Sequence, residues 1–511
     1  MASARSAGKG KREEKEENSP KPLLRGDARA AADVLLFLYA VFAIYVSIAS
    51  PAMNTIERWV FVLVALAGAG MAITRINGLP GGAGMYLLGT KRGVGFIDKV
   101  SRRYQGFWRE LSIWGVVIGL GLLSWPLLKG KINRGTFALG LIAILVFYVV
   151  FFPCLQITLQ FITLQQIQNA AGGVQLGCPY LGGYSLVGYA FGAISLLTGL
   201  VGYFVMLLFY NAGLIIVGTG QFVASAAAGS PQTGLLVNQL PGVAPLIPGV
   251  DIPLVAGIAS LIILLILHEL SHGILARIEK IKVKKVGLVL FGIIPMGAFV
   301  EPDEDAILKL PVEKQNRIIA AGISTNFLLT VIFFIMFVAV LTYLLPGIYA
   351  NAVLIKSVYQ GYPANGILQP GMQIVAWNGY PIKNLSSFTV AAANDTPGKL
   401  ITVTTPNKTY SFTAISVDNS TRGLIGVDVY QPYQTGAYSS IVYFLFTLFG
   451  LSFLLNLAVA VGNMLPVPMF DGWRIYQQNM KNKRNVKLLA ALVGIALLIN
   501  VLPLIYYAVL R

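Results

Sequence analysis

Long apolar runs recur along the chain, near residues 34–52, 59–74, 111–128, 136–153, 189–217, 253–277, 318–345, 438–463 and 488–510. Crossing the hydrocarbon layer of a bilayer takes about 20 helical residues, so the pattern predicts a polytopic α-helical membrane protein with about nine transmembrane helices. The Gly- and Pro-rich stretch 218–252 reads as a loop or a re-entrant segment. Between the seventh and eighth runs, residues 346–432 carry alternating patterns such as Gln373-Ile374-Val375-Ala376-Trp377 and Leu400-Ile401-Thr402-Val403-Thr404, the mark of a small β-rich domain. Residues 1–32 are charged and lack the apolar core of a signal peptide, which predicts a disordered cytosolic tail. The remaining blocks are 33–217 (N-terminal membrane helices), 253–345 (a membrane core) and 433–511 (C-terminal membrane helices).

Composition agrees with the membrane reading. The chain is 56% hydrophobic and only 12% charged, with a mean hydropathy of +0.71, whereas soluble domains are about 25% charged. The net charge of +17 does not point to nucleic acid, because the cations cluster in short segments flanking apolar runs, as the positive-inside rule expects. The tail, residues 75–109, 277–285 and 481–487 all ask for the cytosol, and nine spans with a cytosolic N-terminus satisfy them. Lys129, Lys131 and Arg134 break that pattern. All four Asn-x-Ser/Thr sequons, at Asn384, Asn394, Asn407 and Asn419, fall in the β-rich domain, in agreement with an exterior location. Cys154 and Cys178 have no metal-ligand spacing and predict neither a disulfide framework nor a cysteine metal site.

The chain's two histidines stand in one motif, His268-Glu269-Leu270-Ser271-His272, inside the sixth apolar run. Helix positions i and i+4 lie about 40° apart around the axis and one turn along it, so both imidazoles can reach one ion. Neutral imidazole suits zinc, and Glu269 lies near enough to serve a water there as a base. An ionisable group in a membrane helix costs about 2.5 to 3.5 kcal/mol, which argues against three of them together as mere packing residues. Counted from Ile252 at about 1.5 Å per residue, His268 falls within the hydrocarbon layer, so its water must reach it through a protein-lined cavity.

Catalytic zinc takes three protein ligands and an open position. The positions where soluble zinc proteases place the third hold Ile278 and Gly292, and Glu279 is about two turns from His272, too far along the helix to share its ion. Asp471 is the best remaining candidate, in Asn463-Met464-Leu465-Pro466-Val467-Pro468-Met469-Phe470-Asp471-Gly472. Its two prolines break a helix, and free carbonyls at membrane depth are tolerated only in protein or along a cavity. The competing reading makes Asp471 the N-cap of a cytosolic helix.

Taken together, the His268-Glu269-x-x-His272 motif, the later Asn463-x-x-Pro466-x-Pro468-x-x-Asp471-Gly472 element and a PDZ-like segment resemble the site-2 protease family of intramembrane metalloproteases. The PDZ-like segment is Gly361-Tyr362-Pro363-Ala364-Asn365-Gly366 with Gln369-Pro370-Gly371 and Asn378-Gly379. The likeness covers about residues 250–480. It implies one catalytic zinc ion held by His268, His272 and Asp471, with Glu269 as catalytic base. It also implies that GLVLFGIIPMGAFVE (287–301) is a hairpin that pairs with an unfolded substrate segment, and that Gly297, Asn326 and Asn463 contact substrate; for Asn326 a helix-helix hydrogen bond is the competing reading. Gly322-Ile323-Ser324-Thr325-Asn326 resembles the family's Gly-Pro-x-x-Asn element, with Ile323 in place of proline.

The expected partners are membrane-anchored protein substrates, the lipid bilayer and an upstream site-1-type protease, in regulated intramembrane proteolysis. Two rivals stay open at this stage. A zinc transporter needs a relay of ligand clusters along a pathway, and only one histidine pair is present. A catalytically silent PDZ-bearing scaffold has no need of the intact Glu269.

Overall fold

Two antiparallel apolar helices, α1 (Asp27–Ala49) and α2 (Thr55–Asn77), open the computed structural model. It describes residues 23–510 apart from 25, 51–52, 54, 129–131, 148–185, 238–241, 244–245, 247, 250–251 and 417–420. Helix α1 starts inside the stretch expected to be a disordered tail, because the alanine-rich run after Asp27 favours helix. Its start is tied to the end of α2: Asn77 donates to Asp33 at 2.7 Å, and Arg29 donates to Asn77.

The basic segment that follows is more ordered than its charge suggests. It forms β1 (Gly81–Gly82), β2 (Met85–Thr90) and an amphipathic helix α3 (Arg92–Arg103), whose Ile97 is fully buried. Helix α4 (Gln105–Leu120), a tight turn at Gly121–Leu123 and α5 (Ser124–Leu127) come next, then α6 (Arg134–Val146).

Helices α4 and α6 rise side by side in the same direction. The Thr136 hydroxyl donates to Glu110 at 2.6 Å near their starts, and Gly140 sits against Val117 further along. The chain between them therefore turns near Gly121 and returns to the side where α4 began. Leu128 accordingly lines a cavity with Ser112 and Val312. Gln105–Leu127, the third expected span, is long and apolar enough to cross a membrane, but this pairing gives it the geometry of a re-entrant hairpin and sets Arg134, which broke the charge pattern, beside the start of α4. Lys129 and Lys131 lie outside the described residues, as do the two cysteines.

Helix α7 (Leu186–Ala227) is two helices joined at Gly199, where φ is 69°, and it reaches further into the expected 218–252 loop than the composition suggested. Then come α8 (Leu254–Ile278), the strands β3 (Val283–Phe291) and β4 (Ile294–Pro302), the short α9 (Glu304–Leu308) and α10 (Val312–Ala339). Strands β1 to β4 form one antiparallel sheet in sequence order, with β4 at its edge. Among the described residues, eight helical segments are long and apolar enough to cross a membrane. Of the expected fourth span, 136–153, the described part is α6, and residues 148–153 lie outside the described residues.

Residues 353–430 form two small sheets around their own core of Val353, Ile355, Ile374, Trp377, Ile401, Val403 and Phe412. One has the strand order β11-β5-β6 and the other β10-β9-β7-β8. Their ranges are β5 Val353–Val358, β6 Gln373–Ile374, β7 Ala376–Trp377, β8 Tyr380–Pro381, β9 Leu400–Thr404, β10 Thr409–Thr413 and β11 Val427–Tyr430, with helix α11 at Leu385–Ala392. Buried Asp395 accepts from Trp377 Nε1 and Asn378 Nδ2, both at 2.8 Å. The chain then forms α12 (Ala437–Asn463), α13 (Asp471–Asn479) and α14 (Lys483–Leu510).

Helix α10 is the hub, packed between α4, α8, α12 and α13. Lipid is as apolar as leucine, so close fit and hydrogen bonds decide how spans pack. Along α10 the small or polar residues Gly322, Ser324, Thr325, Asn326 and Thr330 are all buried, and Ser324 donates to Ser112 O of α4 at 3.1 Å.

Candidate active site

The leucine- and isoleucine-rich α8 directs His268 and His272 toward α10, one turn apart. Each imidazole is held from behind by α10. His272 Nδ1 lies 2.7 Å from the Ile318 carbonyl, which fixes the proton on Nδ1 and leaves Nε2 as a lone-pair donor. His268 Nδ1 lies 3.0 Å from the side-chain amide of Asn326. The fully buried Asn326 has an otherwise unpartnered Oδ1. Turning that amide by 180°, a change its shape permits, lets Oδ1 accept the His268 Nδ1 proton.

Gly322 completes the fit. A Cβ there would meet His268 Nε2 and His272 Nε2, each at 2.5 Å, so only glycine lets α10 lie this close to both rings.

The third group arrives from the other end of the fold. After α12 the chain makes tight non-helical turns through Pro466 and Pro468, and Asp471 is the first residue of α13, whose N-cap is Phe470. Asp471 Oδ2 lies 3.4 Å from His268 Nε2 and 3.3 Å from His272 Nε2, and the two Nε2 atoms are 3.3 Å apart. The result is an almost equilateral triangle of donor atoms. Asp471 Oδ2 is buried with no hydrogen-bond partner, a costly state for a carboxylate oxygen that has nothing to ligate.

Glu269 lies on the cavity side of α8, where its Oε2 accepts from Val300 N at 3.3 Å. In an antiparallel ladder amides alternate in direction. An outward N–H on Val300 therefore makes the Ala298 N–H outward as well, so the free edge of β4 faces the site. A cavity of about 800 Å³ is lined by Glu269, His272, Asp471 and Val300 and continues past Pro302 to Glu304, Arg474, Lys483 and Lys487.

Of the expected substrate contacts, Asn463 Nδ2 reaches His268 Nε2 at 3.4 Å, at the centre of the site. Asn326 instead stands behind His268. Gly297 pairs with Val289 next to a β-bulge in β4. Glu279 is too far to join, as expected, and is surrounded by Lys314, Arg317 and Arg109 at 3.1 to 3.4 Å. Burial pushes its carboxyl upward, but hydrogen bonds and attraction from Lys314 and Arg317 outweigh this and hold it below the usual value. The carboxylates that follow β4 are engaged elsewhere: Glu301 pairs with Lys284, Asp303 caps α9 and Glu304 pairs with Arg474.

Two features escaped the sequence reading. Gly322 was named only within the segment that resembles Gly-Pro-x-x-Asn, and its role in making room for both imidazoles had only a weak signal, a glycine inside a long helical pattern. The other is a set of amide pairs: Gln478 donates to Gln315 at 2.9 Å, and Asn479 and Asn316 exchange hydrogen bonds at 3.0 and 3.2 Å. These bind the helix that carries Asp471 to α10, and they had no signal at all.

Eight helical segments apolar enough to span a membrane, together with a His-His-Asp cluster in which His268 is buried and His272 and Asp471 are half-buried, define a polytopic membrane protein with a potential metal centre. Residues 256–502 match the family model of Peptidase family M50, the site-2 protease family, whose members are zinc metalloproteases. That match supports a membrane metallopeptidase. An uncharacterized protein of Methanocaldococcus jannaschii is 29% identical over 240 residues, a match that covers 46% of this chain and 60% of that relative.

The donor set and its spacing fit zinc. Tetrahedral bonds of about 2.0 to 2.2 Å give ligand-to-ligand edges of about 3.3 to 3.6 Å, the range the three donor atoms occupy.

Proposed function

We propose that this chain is an intramembrane zinc endopeptidase that cleaves membrane-anchored proteins within or beside their transmembrane segments, as in regulated intramembrane proteolysis. The observation that carries this reading is the triangle of His268, His272 and Asp471, with Glu269 beside it and a free strand edge across the cavity. Zinc held by those three side chains supplies a Lewis acid that acidifies water and polarises a carbonyl. Glu269 takes a proton from the attacking water as its oxygen bonds to the scissile carbonyl carbon, and returns a proton to the leaving amine as the C–N bond breaks. Asn463, whose amide reaches the same centre, is positioned to donate to the carbonyl oxygen as negative charge develops there.

A substrate helix hides its carbonyls in its own hydrogen bonds, so it must unwind before it can react. Strand addition to the outward groups of Ala298 and Val300 offsets part of that cost. For Val300, the incoming carbonyl competes with Glu269 for the N–H.

Glu279 at the end of α8 meets Lys314 and Arg317 at the start of α10, Arg277 pairs with Asp98, soon after α2, and Gln315 lines one cavity with Lys483 and Lys487 at the start of α14, so these cations share one side. The positive-inside rule makes that side cytosolic. The N-terminus is then cytosolic and the PDZ-like domain extracytoplasmic, where it screens or binds substrate ectodomains.

The test is metal analysis and cleavage of a membrane-anchored reporter by the same reconstituted samples. Glu269→Gln should keep its zinc and lose cleavage, and Asp471→Ala should lose both. Normal cleavage by Glu269→Gln would remove the assignment of the base. Zinc flux across proteoliposomes without cleavage would favour a transporter, and client binding without cleavage a silent scaffold.

A further inference from the structure

The cavity has two chemically different walls. One is the β4 edge, ending at Pro302 and followed by Glu304 on α9. The other is the α13–α14 corner, from which Arg474, Lys483 and Lys487 all line the same space. Arg474 is matched by Glu304 at 3.5 Å across the mouth. Among the described residues neither Lys483 nor Lys487 has a carboxylate partner. Lys483 donates only to the carbonyls of Gln477 and Met480, and both lysines are exposed. Deeper in, the carboxylates of Glu269 and Asp471 are committed to the reaction centre, so the mouth carries uncompensated positive charge.

A strand paired to the β4 edge at Val300 advances about 3.3 Å per residue. A few residues beyond the reacting bond, a peptide that leaves past Pro302 therefore enters the space that Lys483 and Lys487 line.

We propose that Lys483 and Lys487 form a specificity subsite that selects substrates with an acidic segment a few residues from the scissile bond, where the peptide emerges from the cavity. The inference rests on the endopeptidase reading above and narrows its substrate class to membrane-anchored proteins with acidic residues flanking the cleaved segment. The same cations disfavour a basic flank by like-charge repulsion in the partly enclosed mouth.

The experiment uses the full chain in liposomes and membrane-anchored reporters that share one transmembrane segment. Their flanks, on either side of the cut in separate series, are acidic (Asp and Glu), neutral (Ser and Gln) or basic (Lys and Arg). Rates are normalised to the neutral reporter within each enzyme sample, so a general loss of activity cancels.

Wild type should favour the acidic over the basic flank by about two- to tenfold, the range two exposed cations can supply. The preference should shrink at high salt. Lys483→Glu/Lys487→Glu should reverse the ranking, and Lys483→Gln/Lys487→Gln, which serves if the reversal variant does not fold, should flatten it. Cleavage of the neutral reporter with a flat wild-type ranking, or an acidic preference that survives in either double variant, overturns the subsite and leaves the endopeptidase standing. Absence of cleavage with every flank counts against the endopeptidase itself.

Discussion

At the scale of single residues, the site depends on what is missing at position 322 as much as on what is present at 268, 272 and 471. The added methyl of Gly322→Ala has no flexible neighbour to displace: it meets two ring nitrogens at 2.5 Å, on rings pinned from behind by Ile318 and Asn326. The donor triangle must open, and a tetrahedral site tolerates only a few tenths of an ångström before affinity falls. Gly322→Ala should therefore express as a membrane protein yet lose bound zinc by at least about tenfold, the scale on which perturbed ligand support acts. Zinc per protein, measured by elemental analysis beside wild type, checks this; full zinc content in the variant would mean that α10 can retreat. Alanine is the better helix former, so a loss here cannot come from helix propensity.

At the scale of elements, the edge of β4 and the end of α8 can be tested separately. Ala298 presents its N–H outward, away from β3, so Ala298→Pro removes an edge donor without breaking the existing ladder, a position where sheets accept proline. One lost hydrogen bond is worth about 0.5 to 1.5 kcal/mol, so reporter cleavage should fall by about two- to tenfold while zinc content stays at the wild-type level.

At the end of α8, Glu279 joins three helices through Arg109 on α4 and Lys314 and Arg317 on α10. Its side chain is 1% exposed. Because its folded pKa is lowered, its contribution to stability is complete above the unfolded carboxyl value, near 4.3, and is lost as pH falls through the folded value. Thermal melting in detergent should show wild type losing stability from about pH 5 downward. Glu279→Gln should already be destabilised at pH 7, by about 2 to 4 kcal/mol, and should change less over the same acid range. Parallel acid profiles would show that the cluster adds nothing to stability.

At the scale of the whole molecule, what was legible divides along a physical line. The metal helix could be read because two histidines and a glutamate are costly in an apolar run and have few reasons to be there. Asp471 was readable because two prolines make a membrane helix stop. The long spans were readable from length and apolarity alone. The re-entrant turn was not: α4 and α5 together are long and apolar enough to cross a bilayer, and composition does not record whether a helix runs on or turns back at Gly121. The extension of the hairpin by β2 was hidden for the opposite reason, since the cations of residues 75–109 spoke only for a cytosolic location. The amide pairs between α10 and α13 join residues far apart in sequence, which periodicity cannot link.

The one trace of the re-entrant turn was electrostatic, the misfit of Lys129, Lys131 and Arg134, and it yields a test that needs no activity. Single cysteines at Arg102, Arg134 and Asn407, in a chain whose own Cys154 and Cys178 are replaced by serine, would be labelled with a membrane-impermeant thiol reagent in intact cells. The hydrogen bond from Thr136 to Glu110 places Arg134 on the side where α4 begins. Positions 102 and 134 should therefore resist labelling until the membrane is permeabilised, while 407 reacts at once. Labelling of 134 together with 407 would mean that α4 and α5 cross the bilayer after all, and that the parallel pairing of α4 with α6 does not hold in the membrane.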